Sequence, residues 1–326
     1  MSAPASLICV NPVGESKNAP QYPPKTWPLD TPGGRYCAEW DDQALVTREG
    51  QLIFFQFLQT GRRWQEFLRE CPLHYTGNRG SGALNVMGTV LLSVLAGHWR
   101  YAHINGLRGD GINPGLLGMN GVVSEDAVRL AMARIPEVAG LDWISTQVLG
   151  SISPALGLPW ILDIDVTVKP LYGRQQGAEI GYNPQKPGRP SHVYHSYFVA
   201  NLRISLGVEV RPGNEHAAAK GLPGLWQTLE KLPRHQWPTF TRADAENCFD
   251  ELKNPWGWGG FTSRKLAPSQ LMANLVALFY NWWNLYLRFY DEEHHREAIR
   301  TRPMLTSGVG RQVQSGGRRT VKVSLV

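Results

Sequence analysis

The sequence predicts an α/β protein, with a helical N-terminal region followed by a mixed sheet flanked by helices. Three observations carry this reading. Apolar residues recur at helical spacing through residues 51–70 and 82–104. After Pro159 the pattern changes to short β-branched runs, first WILDIDVTV (160–168) and then two more between residues 193 and 210. From residue 242 the helical pattern returns and ends in the long apolar run 271–290. Hydrophobic residues make up 42% of the 326 positions, enough for a true core and too many for wholesale disorder.

Taken in order, residues 1–48 are rich in Pro, Gly and polar side chains and read as an irregular segment. Residues 49–150 form a helical region. Its second helical stretch ends in His98, Trp99, Arg100, Tyr101 and His103, and a Gly-rich connection (GLRGDGINPGLLGMNG) leads to VVSEDAVRLAMARI. There Ser124 is placed to cap a helix, and Glu125 and Asp126 favour its first turn. Two helices so joined fit either a helix-turn-helix DNA reader or a helical hairpin packed on itself. Residues 151–326 make up the third region. WILDIDVTV reads as a buried strand, residues 173–191 as a Gly/Pro-rich loop carrying Arg174, Lys186 and Arg189, and YHSYFVANL with ISLGVEV as a meander. A short helix follows at 222–232, and HQWPTFT begins another strand.

The run 271–290 has membrane-like length but contains Asn274, Asn281, Asn284 and Arg288, which are costly in lipid. Their spacing makes a narrow polar stripe on a mostly buried helix, so no membrane association is expected. Four scattered cysteines without a CxxC pair argue against zinc fingers and disulfide scaffolds and fit a reducing cytoplasm. MSAPASLICVNPVGESK lacks the basic start and apolar run of a signal peptide. No phosphate-cradling glycine loop of the P-loop or dinucleotide type is present. The net charge of +6 suits a polyanionic partner. After Glu297 the tail holds Arg300, Arg302, Arg311, Arg318, Arg319 and Lys322 with no acid, and it either meets DNA or is solvated.

Three groups of residues bear on chemistry. Strand period two puts Asp163 and Asp165 on one face. Carboxylates on a buried strand are costly unless paired, hydrogen-bonded or metal-bound; the alternative is a strand end where both reach solvent. Arg242, Glu246 and Lys253 lie at offsets of four and seven, one stripe of a helix, and by themselves fit a surface salt-bridge ladder. His192 and His195 form an HxxH that with nearby acids would suit a metal hydrolase, or ordinary polar contacts.

LDIDVTVKPLYGRQQGAEIGYNPQKPGRPSH (162–192) resembles the first catalytic strand and following loop of bacterial insertion-sequence transposases of the DDE class, and ADAENCFDELKNPWGWGGF (243–261) is similar to the segment bearing their last acid. Arg242, Glu246 and Lys253 match the last three members of that family's Tyr-Arg-Glu-Lys signature at the right spacing, and the likeness extends over most of the chain. The resemblance implies an RNase H-like core, truncated here, preceded by a helical DNA-binding region. It implies a carboxylate site of Asp165, Asp244 and Glu246 holding two Mg²⁺, with Asp163 as an auxiliary. Arg242 and Lys253 would contact DNA phosphate, assisted by Lys169, Arg174, Lys186 and Arg189. The implied partner is double-stranded DNA at the element's terminal inverted repeats, bound by a homodimer in the cytoplasm at the nucleoid. The implied activity is phosphodiester cleavage and strand transfer, or, if catalysis is lost, binding without cutting that inhibits transposition.

The sequence departs from the family in two places. Thr239 stands at the signature's Tyr position, and PTFTRAD runs straight into AENCFDELK, where the family has a further strand and an inserted β-rich region. Asp244 thus sits where two motifs overlap. An in-frame deletion near 242–244 would account for this and would leave the neighbouring strand with an open edge.

Overall fold

Alternating apolar side chains in PLD and RYCAEW drive the first strand pair. Residues 26–40, expected to be irregular, form a hairpin of β1 (Thr26–Thr31) and β2 (Gly34–Trp40), with Leu29, Tyr36 and Ala38 buried. The computed structural model describes residues 26–40, 52–76, 80–215, 217–242, 246–291, 295–306 and 310–323. Among them the protein is mixed α/β, with two four-stranded mixed sheets.

Helices fill the region up to residue 152, at α1 (Leu52–Gln59), α2 (Arg63–Arg69), α3 (Gly82–Leu95), α4 (Asn113–Leu116), α5 (Glu125–Arg134) and α6 (Glu137–Ile152). Phe54, Phe55, Trp64 and Phe67 of the first two are buried, and α3 is buried from Val86 to Leu95. Ser124 caps α5 as its position predicts, its hydroxyl accepting from the Ala127 amide at 3.2 Å. Residues 96–124, including a 3-10 turn at Tyr101–Leu107, separate α3 from α5. A helix-turn-helix joins its helices by a turn of about three or four residues, so this pair is not one. Instead α5 buries Val128, Ala131 and Met132.

The second sheet is the framework for the candidate site. β3 (Ile161–Pro170), β4 (Ser191–Val199) and β5 (Ile204–Pro212) run antiparallel as a meander. After α7 (Ala217–Leu229), the short β6 (Phe240–Arg242) pairs parallel with β3, giving the order β5-β4-β3-β6. The chain continues through α8 (Glu246–Lys253), α9 (Leu266–Tyr290) and α10 (Ala298–Thr306). It closes with a second hairpin, β7 (Gly310–Ser315) and β8 (Arg318–Val323), reversed over Gly316 and Gly317 at φ 56° and 76°. Two residues at positive φ make the turn whose twist suits a two-residue hairpin. β8 lies parallel to β2, so the first sheet, β1-β2-β8-β7, joins the two ends of the described chain. The irregular reading of 26–40 fails because the strand that completes this sheet pairs with it from 283 positions away, Cys37 against Thr320, beyond any local pattern.

One face of the second sheet carries Tyr194, Phe198, Val208 and Val210 into the core shared with α9. The other packs Leu162, Tyr197, Ile204 and Leu206 against Leu225 and Leu229 of α7 and Leu149 and Ile152 of α6. α9 is apolar nearly all round and passes through the core, with Leu271–Ala273 and Leu275–Tyr280 buried. Among the described residues no helix is long and apolar enough to cross a membrane.

Candidate functional site

β3 lies inside its sheet, between β4 and β6, and carries four polar groups on one face: Asp163, Asp165, Thr167 and Lys169. Asp163 is fully buried and partnered, which rules out the open strand end for that residue. Asp165 is half-buried, and its Oδ2 accepts from the Thr167 hydroxyl at 3.1 Å. One carboxylate is thus locked into the wall of the sheet, while the next along the face keeps a route to solvent. Parallel pairing sets Arg242 beside Asp163. Arg242 therefore belongs to a strand and not to the helical stripe expected of it; α8 begins only at Glu246. The physical reason is the β3 edge, which recruits Phe240, Thr241 and Arg242 into backbone pairing before a helix can start. Lys253, at the end of α8, is exposed. Asp244 and the side chains of Arg242 and Glu246 lie outside the described residues.

Loop 171–190 leaves β3 and returns as β4 with its cations outward. Arg174, Lys186 and Arg189 are all exposed. The Arg189 guanidinium lies 4.8 Å and the Lys186 ammonium 5.1 Å from the Tyr172 ring centre, and Tyr172 and Tyr182 are themselves exposed. The loop is not slack: Leu171 donates to Pro190 (2.8 Å), Gln176 to Arg264 (2.8 Å) and Ser191 to Glu179 (2.9 Å) through backbone bonds. Anchored cations next to exposed aromatic rings suit contact with a phosphate chain and its bases.

A third feature escaped the sequence reading. Trp256–Phe261, WGWGGF, wraps onto His98 and Trp99. A Cβ on Gly260 would lie 1.9 Å from the Trp99 carbonyl oxygen, one on Gly257 2.4 Å from the Trp99 Cβ, and one on Gly259 2.9 Å from the Lys169 Nζ. The glycines are there because another chain segment passes against each. Burial pushes the Lys169 ammonium down to about 8, with the Arg100 charge adding to the effect. His98, whose Nδ1 is 3.1 Å from the Ser93 hydroxyl, is pushed down to about 4 by burial and by His103. The spacing of the glycines was the available signal, but it does not say which segment they approach.

The HxxH pair does not converge. An offset of three on a strand sends His192 and His195 to opposite faces. His192 shares the Lys169 face and meets the Gln176 carbonyl oxygen at 2.8 Å, whereas His195 registers with Val166 and Glu209 on the other. Nor are two of the basic tail's cations free. Arg302 is buried, donates to the Val94 carbonyl at 2.9 Å and to that of Pro255, and lies 4.6 Å from the Trp256 ring centre. Arg319 lies over Tyr36 at 4.3 Å. Tertiary packing uses these two cations as structural donors, so neither the DNA reading nor the solvated one holds for Arg302.

Among the described residues no group of three His, Cys, Asp or Glu is arranged to hold a metal ion. The Asp165 carboxylate is one hard oxygen donor of the kind such a site needs, and the partners expected of it at 244 and 246 fall outside the described side chains. No protein family, characterised protein or solved structure compared with the chain matches it.

Proposed function

We propose that the chain is a DNA-binding protein of transposase type whose core is a shortened RNase H-like domain. The observation that carries this reading is the second sheet: an antiparallel meander, then a strand parallel to its first member, with Asp165 on that first strand. This is the order expected of an RNase H-like core lacking its last strand, and β6 passes almost directly into the helix that opens with Glu246. The sequence resemblance chose the same two places independently.

On this reading Asp165, Asp244 and Glu246 would hold Mg²⁺, which when bound activates the attacking oxygen and stabilises the leaving one in phosphodiester cleavage and strand transfer. The chain's own groups do the rest. Thr167 fixes the Asp165 carboxylate by its 3.1 Å hydrogen bond. Arg174, Lys186 and Arg189 on the anchored loop, with Arg242, Lys253 and Lys169, hold the DNA strand by its phosphates. Its partner would be double-stranded DNA carrying the terminal inverted repeats, bound by two copies of the chain.

A specific observation favours a second reading, binding without cutting. β6 has three residues, pairs no further than Asp163, and leaves Phe240 68% exposed at the sheet's rim. A core missing the strand that would cover this edge has weaker support for an acid beside Asp165. The two readings separate in one assay with end-labelled terminal-repeat DNA and Mg²⁺, comparing the parent chain with Asp165→Ala and Glu246→Ala. Nicking by the parent that both variants lose by at least a hundredfold is the expected outcome for a working enzyme. Specific binding with no nicking by the parent leaves the non-cutting reading, and neither binding nor nicking overturns both.

A further inference from the structure

Four residues along β3 from Asp165, the polar face ends in Lys169, against the Gly259 backbone. The neighbouring glycine, Gly260, packs on the Trp99 carbonyl, and Trp99 leads directly into Arg100. Consecutive glycines thus pack against Lys169 and against the Trp99 backbone that leads into Arg100, close enough for the Arg100 charge to act on Lys169. The Arg100 guanidinium lies 4.4 Å from the Trp99 ring centre and is exposed at its rim. Lys169 makes no hydrogen bond or ion pair with any described residue, and His192, in register with it, is a further base and not a counter-charge. Two cations with no described carboxylate between them repel one another, at a cost that partial burial raises. An anion placed between them removes that cost, and Arg and Lys together supply the fork and the point charge that a phosphate accepts.

We infer that Arg100 and Lys169, carried on segments that the glycines of the WGWGGF turn bring together, bind a single phosphate group of a nucleic-acid strand. The inference rests on the proposed DNA-binding reading for the identity of the strand, and on the geometry alone for the phosphate. The site is distinct from the carboxylates and from the cations of loop 171–190. It fixes one backbone position of the strand along the axis of β3, at the opposite end of the polar face from Asp163.

The test uses the full chain and two probes: inorganic phosphate alone, followed by calorimetry, and a short DNA duplex, followed by fluorescence anisotropy at several salt concentrations. Arg100→Gln, at an exposed position, and Lys169→Met are compared with the parent, with Lys231→Met as a surface control. The expected result is that each site variant weakens phosphate binding at least tenfold, that the double variant is little weaker than either single one because both serve one anion, and that the control is unchanged. With duplex, each should flatten the salt dependence by about one phosphate, a slope change near 0.9. Phosphate binding is also expected to fade as pH rises through about 8, where Lys169 loses its proton; Arg100, His192, Tyr194 and, farther along the strand, Asp165 and Asp163 are the described charged or titratable groups sharing this face. Phosphate binding unaffected by Arg100→Gln, or absent in the parent at pH 7, overturns the site. Variant-sensitive phosphate binding with an unchanged duplex slope overturns the nucleic-acid part. Tight duplex binding without the phosphate site would leave the DNA reading standing and overturn this inference.

Discussion

His98 shows how a single residue can carry a measurable property of the whole chain. Its ring is held neutral well below its ordinary value near 6.5, at about 4, first by burial and second by His103 5.5 Å away between ring centres. In the unfolded chain it binds a proton near 6.5, and in the folded chain only near 4. The unfolded state therefore gains protons first as pH falls, and stability drops across the window from 6.5 down to 4. Above 6.5 the ring is neutral in both states and contributes no slope. Thermal unfolding of His98→Gln should lose part of the parent's pH dependence between these limits, and superimposable curves would show that His98 does not carry it. Arg302 makes the complementary point. A buried guanidinium bonded to two backbone carbonyls belongs to packing, whatever the charge of the tail around it suggests.

At the scale of elements, α9 explains how the second sheet ends. β5 is an edge strand, and unpaired backbone groups along an edge invite pairing with another chain. Here the amide side chains of α9 take the place of a neighbouring strand. Asn281 Oδ1 accepts from the Ser205 amide (2.8 Å) while its Nδ2 donates to the Ser205 carbonyl (2.7 Å). Asn274 makes the same two-way pairing with Val208 at 3.1 and 2.9 Å, and Gln270 joins it at Val210 and Val208. A carboxamide presents the same donor and acceptor as a peptide unit, so it can mimic a strand. Two members of the polar stripe read in the sequence, Asn274 and Asn281, form this edge cover, while Asn284 donates to the Tyr280 carbonyl of its own helix and Arg288 to the Leu202 carbonyl. Replacing Asn281 by Leu leaves the Ser205 amide and carbonyl without these partners, and replacing Asn274 by Leu leaves the Val208 amide without its acceptor while the Val208 carbonyl keeps Gln270. Each should cost about 1–3 kcal/mol in urea unfolding. A change below about 0.5 kcal/mol would mean that the edge is satisfied by other means.

Across the whole molecule, charge and fold act together only where the chain is anchored. Loop 171–190 presents Arg174, Lys186 and Arg189 from a segment pinned by backbone bonds at 2.8–2.9 Å, so their charges are fixed relative to β3 and its Asp165. On the proposed DNA reading, changing all three to Gln leaves up to three phosphates without their cation. The slope of log affinity against log salt should then fall by about 0.9 for each phosphate no longer neutralised, with binding weakened uniformly across sequences. An unchanged slope would exclude the loop from the interface. The tail behaves differently: β8 is sewn between β2 and β7, and its Arg319 reaches Tyr36 at 3.1 Å. Arg319 therefore helps hold the ends of the described chain together, while Arg300 and Arg318 stay exposed.

Local physics made part of this protein legible from sequence alone. Ser124 announces its helix because a cap needs only its own next turn, and Asp163 and Asp165 share a face because strand geometry has period two. The change of pattern after Pro159 marks the second sheet for the same reason, since backbone periodicity is a near-neighbour property. Only the tertiary structure decided what depends on distant partners. It turned residues 26–40 into strands by supplying β8, and drew Arg242 out of its helix by offering the β3 edge. It set His192 and His195 on opposite faces, gave the α9 amides an edge to cover, and brought Lys169 against Gly259 within reach of the Arg100 charge. Each of these rests on pairing or burial between segments far apart in the chain, where no local spacing holds the information.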